Sequence, residues 1–276
     1  MQIKQALRQA ETTLTDSPSA QLDAQILLAR VLDKGREFLL SWPEKEITHE
    51  QQEHFLQLLA ERQRGVPIAY LTGRRAFWDF DLEVNTDVLI PRPETELLVE
   101  LALQNLKQEN QLIADLGTGS GAIALALARE RPQWKVIASD TSAGALNVAR
   151  RNAETLALDN LDFRPGSWCE VIAADEKLDA LLANPPYIDP EDHHLQQGDL
   201  RFEPKNALVA GAGGMADLQT IVQQAREKLL PRGLLLLEHG YQQAAGLQKL
   251  LQESGYNDIE THQDLAGLDR VTLARR

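Results

Sequence analysis

Asn184-Pro185-Pro186-Tyr187 is the stretch whose residue types could do chemistry. Two consecutive prolines have fixed φ and no N–H, so their carbonyls stand rigid and can only accept. An Asn side-chain oxygen, a fixed carbonyl and an aromatic face together suit a planar –NH2 group. The two acceptors take its hydrogens and the ring covers its π-face. The same residues also read as a Pro-Pro turn closing a strand, with Asn as the turn former. The preceding run, Leu178-Asp179-Ala180-Leu181-Leu182-Ala183, has the length and apolarity of a strand buried in a parallel sheet. Ligands of open α/β sheets bind beyond the carboxyl ends of the strands, where this tetrapeptide falls.

A second cluster lies upstream. Leu112 to Leu116 reads as a strand entering Gly117-Thr118-Gly119-Ser120-Gly121, with a helix from Ala122 to Ala128. Glycines in such a turn let the backbone approach a ligand and aim helix N-terminal N–H groups at it. Read as Gly117-x-Gly119-x-x-Ala122, with Asp140 about 20 residues on, the loop also fits a dinucleotide fingerprint. Alone it leaves NAD and S-adenosylmethionine both open. Asp115, two residues before the first glycine, gives a pyrophosphate nothing but suits a sulfonium with an amino-acid tail. Its plainer role is a turn or helix-dipole contact. Asp140, after the strand Lys135 to Ser139, would accept both ribose hydroxyls, or else cap the helix starting near Ser142. Since Asn184 to Tyr187 have no part in hydride transfer, the two clusters together favour S-adenosylmethionine and methyl transfer to a planar nitrogen.

Elements must position these residues. The first 72 residues read as helices: Ala24, Leu27, Leu28, Val31 and Leu32 recur at helical spacing, with Gly35 as a stop. Thr48 with Gln51 makes a capping box. Residues 73–90, with Phe77, Trp78, Phe80, Leu82 and Val84 around Asp79 and Asp81, predict a linking β-hairpin. Pro93 suits the first turn of a helix running from Glu94 to about Leu106. Within 91–276, strands are expected near 112–116, 135–139, 160–164, 178–183 and 233–238, with helices between most of them. That alternation predicts a parallel sheet covered on both faces. A last pair near 256–262 and 270–274 is expected as antiparallel edge strands.

The chain has 276 residues and a formal net charge of −13, from 28 Lys+Arg against 41 Asp+Glu. Such acidity weighs against a nucleic-acid substrate, whose phosphates call for the opposite balance. A lone Cys169 forms no intrachain disulfide, and no Cys/His spacing predicts a metal site; His193-His194 reads as a solvated loop. With no apolar run near the ~20 residues of a membrane span, a cytoplasmic protein without a membrane partner is expected.

On these motifs the chain resembles class I S-adenosylmethionine-dependent methyltransferases. More closely it resembles the PrmC/HemK family of release factor glutamine methyltransferases. Gly65-Val66-Pro67-Ile68-Ala69-Tyr70-Leu71-Thr72-Gly73, Ile90-Pro91-Arg92-Pro93-Glu94-Thr95-Glu96, Arg201-Phe202-Glu203-Pro204 and Asp269-Arg270-Val271 extend the likeness over nearly the whole chain. The resemblance implies an α/β, Rossmann-like seven-stranded sheet with its last strand antiparallel, after a small all-helical domain (1–72) that recognises the release factor. It implies methylation of the glutamine amide in the Gly-Gly-Gln loop of class I peptide chain release factors, by a chain expected to be a monomer. It also implies that Gly117, Thr118, Gly119, Ser120, Gly121, Asp140, Trp168 and Asn184 hold S-adenosylmethionine. Asn184, Pro185, Pro186 and Tyr187 then hold the glutamine, with Asn184, Pro185 and Tyr187 acting in catalysis. One departure is Ser167, where the family often has an acid before the tryptophan to meet the adenine amino group. The competing readings are a nucleic-acid (adenine) amino-methyltransferase, whose flipped base also presents a planar –NH2, an NAD-dependent oxidoreductase, and a catalytically idle cofactor-binding scaffold.

Overall fold

Five helices build the first compact unit, Met1–Arg74 with Gln196–Phe202, in a computed structural model that describes residues 1–276. They are α1 (Ile3–Thr13), α2 (Ala20–Leu32), α3 (Arg36–Ser41), α4 (His49–Gln63) and α5 (Ile68–Thr72). The helical spacing on α2 puts Ala24, Leu27 and Leu28 into one core with Ile3 and Ala6 of α1 and Phe55 and Leu59 of α4. Thr48 accepts from the Gln51 N–H and Gln51 returns the bond, so the capping box forms. Gly35 does not stop α2. The chain leaves that helix at Asp33, which takes a left-handed φ of 49°, and Gly35 instead precedes α3 as its N-cap. Asp is one of the few non-glycine residues that visit this region readily.

The second unit spans Arg75–Leu195 and Glu203–Arg276. A short hairpin, β1 (Arg74–Phe77) and β2 (Phe80–Glu83), buries Phe77, Phe80 and Leu82 and turns Asp79 and Asp81 outward. Pro93 opens a 3₁₀ turn, so α6 (Glu96–Asn105) begins two residues after Glu94. Then follow β3 (Leu112–Leu116), α7 (Ala122–Glu130), β4 (Lys135–Asp140), α8 (Ala143–Thr155), β5 (Leu161–Pro165) and β6 (Leu178–Ala183). The chain continues through a single turn, α9 (Gly211–Gly214), then α10 (Ala216–Lys228), β7 (Leu229–Glu238), α11 (Ala244–Glu253), β8 (Asn257–Gln263) and β9 (Asp269–Arg275).

The seven strands lie in the order β5-β4-β3-β6-β7-β9-β8. β3 to β7 pair in parallel, and the last strand, β9, runs antiparallel to both its neighbours. β8 and β9 do pair, but only β8 is an edge. β9 buries Val271, Thr272, Leu273 and Ala274 in succession, a run that needs a neighbour on each side, whereas β8 keeps much of its surface exposed. The chain winds outward from β3 in one direction and from β6 in the other, which makes the β3/β6 boundary the switch point where a crevice opens. No helix is long and apolar enough to cross a membrane.

Candidate functional site

A cavity of about 280 Å³ occupies that crevice, and Gly117, Gly119, Asp140, Trp168, Asn184 and Pro186 all line it. β3 delivers the glycine loop. Gly117, Gly119 and Gly121 have φ of 74°, 55° and 89°, a region costly for other residues. The N–H groups of Gly117 and Thr118 donate to the Ser139 carbonyl at 2.9 and 2.8 Å and tie the loop to the end of β4. A Cβ on Gly117 would stand 3.3 Å from the Trp168 ring, so the absence of a side chain keeps this wall open. Thr118, Ser120 and Gly121 are not in the wall. The Thr118 hydroxyl donates inward to Asp115, the Ser120 carbonyl accepts from Asn152 Nδ2 at 2.9 Å, and Gly121 begins α7.

β4 delivers Asp140. Its Oδ1 accepts from the Ser142 N–H at 2.8 Å and its Oδ2 from the Gly119 N–H at 3.0 Å. Burial raises its pKa, and these backbone donors pull it back. Ser142, not Asp140, caps α8, its side chain accepting from the Ala145 N–H at 3.1 Å. Asp115 is wholly buried behind the loop. Its Oδ2 accepts from the Thr118 hydroxyl at 2.6 Å and the Ala124 N–H at 3.2 Å, while Oδ1 has no partner. Burial pushes its carboxyl up to about 7.

Trp168 holds a strained φ of 41° at the far side of the cavity. Beside it the first turn of α10 contributes Asp217 to the wall. Burial raises the Asp217 pKa, and a hydrogen bond with the Trp168 side chain lowers it. Ser167 therefore shares this wall with a carboxylate supplied by another element.

β6 delivers Asn184. Its Nδ2 donates to Thr95 Oγ1 at 3.2 Å, and no protein donor reaches its Oδ1. Pro186 lines the cavity; Pro185 is buried and, like Tyr187, outside its wall. Tyr187 is pinned at both ends. Its carbonyl accepts from Gln243 Nε2 at 3.1 Å, and its hydroxyl lies 3.5 Å from Glu238 Oε1, the outer limit of a hydrogen bond. Burial raises the Tyr187 pKa, so the phenol stays neutral. At Gly214, φ 80°, any Cβ would overlap the Tyr187 carbonyl.

Glu203 is buried, pairs with Arg92 and accepts from the Ile90 N–H at 3.1 Å, which pins the segment before α6. Arg201 belongs to the first unit, its guanidinium over the Phe202 ring at 5.2 Å. Asp192, His193 and His194 cluster in an exposed loop, with His194 Nδ1 2.7 Å from Asp192 Oδ1. Sequence reasoning missed Asp217 and Glu238 and gave Thr95 no role. Each comes from an element far along the chain, and no local spacing marks it.

Solved structures share this fold. A methyltransferase from Pyrococcus furiosus superposes with a TM-score of 0.53 at 18% identity, over 83% of this chain and 98% of its own. The hMettl16 catalytic domain, solved in complex with MAT2A 3′UTR hairpin 6, superposes with a TM-score of 0.59 at 14% identity, over 90% and 91%. The fold is that of the class I methyltransferases. Two family models match: the PrmC N-terminal domain over residues 5–73 and the methyltransferase small domain over 94–216. Curated relatives named release factor glutamine methyltransferase are 49% identical in Aliivibrio fischeri, over 95% of this chain and 93% of the relative, and 47% identical in Salmonella typhimurium, over 100% and 99%. One from Escherichia coli is 46% identical over 100% and 99%. The chain belongs to the release factor glutamine methyltransferase family.

Proposed function

We propose that this chain transfers a methyl group from S-adenosylmethionine to the side-chain amide nitrogen of the glutamine in the Gly-Gly-Gln loop of class I release factors. The observation that carries the reading is Asn184 Oδ1. Asn184 lines the cavity at the end of a strand beside the glycine loop; its Nδ2 is held by Thr95, and its Oδ1 accepts from no protein donor.

The residues present fit the methyl donor. Asp140 offers a carboxylate for the ribose hydroxyls, and the Trp168 ring in the cavity wall offers an apolar face for the purine. Asp217 offers an acceptor for the purine amino group. Asp115 Oδ1, buried and unpartnered behind the glycine loop, is an acceptor for a cationic tail, whose charge would draw the raised carboxyl back to its ionised form. S-adenosylmethionine supplies an electrophilic methyl group when bound. A carboxamide nitrogen is a poor nucleophile because its lone pair is delocalised into the carbonyl. Asn184 Oδ1 and the Pro185 carbonyl accept the two amide hydrogens, turn the lone pair toward the cavity and stabilise positive charge developing on nitrogen. Tyr187 covers the amide plane and excludes water. With no general base in the wall aimed at this nitrogen, positioning supplies much of the rate. The helical unit, 1–72, serves as the recognition domain for the protein substrate; Leu40 and Trp42 on its surface are 69% and 61% exposed. The catalytic unit works as a monomer in the cytoplasm.

The test is transfer of labelled methyl from S-adenosylmethionine to four acceptors: a class I release factor, its loop Gln→Ala variant, duplex DNA and tRNA. Label on the intact factor alone is expected. Label on nucleic acid alone would overturn the reading in favour of an amino-methyltransferase acting on bases.

A further inference from the structure

Gln243 takes no part in the reaction above, yet its side chain meets the Asn-Pro-Pro-Tyr segment where that segment ends. Its backbone opens α11: the Gln243 N–H donates to the Gly240 carbonyl at 2.8 Å, and its carbonyl accepts from the Leu247 N–H at 2.9 Å. The side chain is left for other partners. Its Oε1 accepts from the Gly240 N–H at 2.8 Å. Its Nε2 donates to the Tyr187 carbonyl at 3.1 Å and, more weakly, to the Gly213 carbonyl at 3.4 Å. A carboxamide has an acceptor at one end and two hydrogens at the other, and half a revolution about its last bond exchanges them. With a backbone donor on Oε1 and carbonyls before Nε2, only one of the two orientations satisfies every atom.

The peptide that leaves Tyr187 is held along both edges. The Ile188 N–H donates to the Leu208 carbonyl at 3.0 Å, and the Tyr187 carbonyl on the other edge accepts from Gln243. Gly240 also lies beside the ring: a Cβ there would stand 3.7 Å from Tyr187 Cδ2, an ordinary contact. One end of the Gln243 amide therefore ties down the Tyr187 backbone, and the other ties down the glycine that backs the ring. The phenol tip has only the 3.5 Å approach to Glu238, at the limit of a hydrogen bond, so the ring is aimed from its base. Resting on the reading of Tyr187 as the face over the substrate amide, we propose that Gln243 is a positioning residue that aims the Tyr187 ring at that amide. Methyl transfer depends steeply on the alignment of the reacting atoms, so a loosened ring shows in the rate before it shows in cofactor binding. The loop between β7 and α11 thereby gains a role in the reaction without lining the cavity.

The experiment is a mutant cycle on the full chain with a class I release factor and S-adenosylmethionine, read by single-turnover rate and by calorimetric cofactor affinity. Gln243→Glu keeps the shape and the acceptor for Gly240 but sets a carboxylate against the Tyr187 and Gly213 carbonyls. The rate should fall about tenfold while cofactor affinity stays within about twofold. Because Gln243 acts through Tyr187, Gln243→Glu should slow a Tyr187→Ala background by no more than about twofold. Should Gln243→Glu fail to fold, Gln243→Leu provides the same cycle, since it removes the donor without adding charge. A wild-type rate in these variants, losses that multiply in the Tyr187→Ala background, or an equal loss of cofactor affinity would overturn the proposal. Failure of the unmodified chain to methylate the release factor would instead defeat the glutamine reading, and this role with it.

Discussion

If Asn184 Oδ1 and the Pro185 carbonyl accept the two hydrogens of the acceptor amide, as proposed, losing the Asn184 side chain should slow transfer without emptying the cofactor site. Asn184→Ala is expected to lower the single-turnover rate by about 100-fold, the scale of a lost preorganised contact, with cofactor affinity changed by no more than about threefold. Equal losses in both would sink the assignment. Asp217 belongs to the other half of the cavity. Asp217→Ala should weaken S-adenosylmethionine binding by about tenfold, the worth of one hydrogen bond to a charged group, in calorimetric titration. An unchanged affinity would mean the carboxylate serves only Trp168. Asn184, Gly117 and Asp140 could be found in the sequence because each sits next to a strand whose apolar run announces it. Asp217, Thr95 and Glu238 could not. Asp217 reads as an ordinary acid in a first helical turn, and Glu238 as the polar end of a leucine run; only the fold brings Asp217 to the cavity, Thr95 to Asn184 and Glu238 to Tyr187.

At the scale of elements, the strands were legible because parallel strands buried on both faces are nearly continuous apolar runs, as in Leu178–Ala183 and Leu234–Leu237. Boundaries and neighbours were less so. Asp33, not Gly35, takes the left-handed position that ends α2, and β9 lies inside the sheet although the sequence shows only that β8 and β9 pair. Glu203 is the clearest case of an element held by a distant residue: its side chain is fully buried and paired with Arg92, 28% exposed. Arg92→Met leaves that charge buried and unpaired, so it should destabilise the second unit by roughly 3 kcal/mol in urea unfolding. A change within about 0.5 kcal/mol would show that Ile90 and solvent suffice for Glu203.

For the whole molecule, the buried acids set the pH response. Asp115 and Glu238 have ordinary values of 3.8 and 4.5, and burial pushes both up to about 7 in the fold. A raised folded pKa means the fold favours the protonated form. Their stabilising contribution is full below the ordinary values and lost as pH rises through about 7. Glu176 works oppositely: its hydrogen bonds with Arg164 lower it to about 2, so its contribution holds above 4.5 and is lost as pH falls through about 2. The thermal midpoint should therefore fall between about pH 5 and pH 8, and Asp115→Asn should flatten that slope. A midpoint that rises over this range would contradict the assignment of buried acids. The net charge of −13 adds a field that repels nucleic acid at long range, in keeping with a protein substrate.

On the proposed function, a glutamine amide and no other nitrogen receives the methyl group. The most direct measurement is tandem mass spectrometry of a class I release factor after incubation with this chain and S-adenosylmethionine. One added methyl group is expected, localised to the side chain of the Gly-Gly-Gln glutamine and absent with Asn184→Ala. A methyl group on any other residue, or an unmodified factor under conditions where the chain binds S-adenosylmethionine, would contradict it.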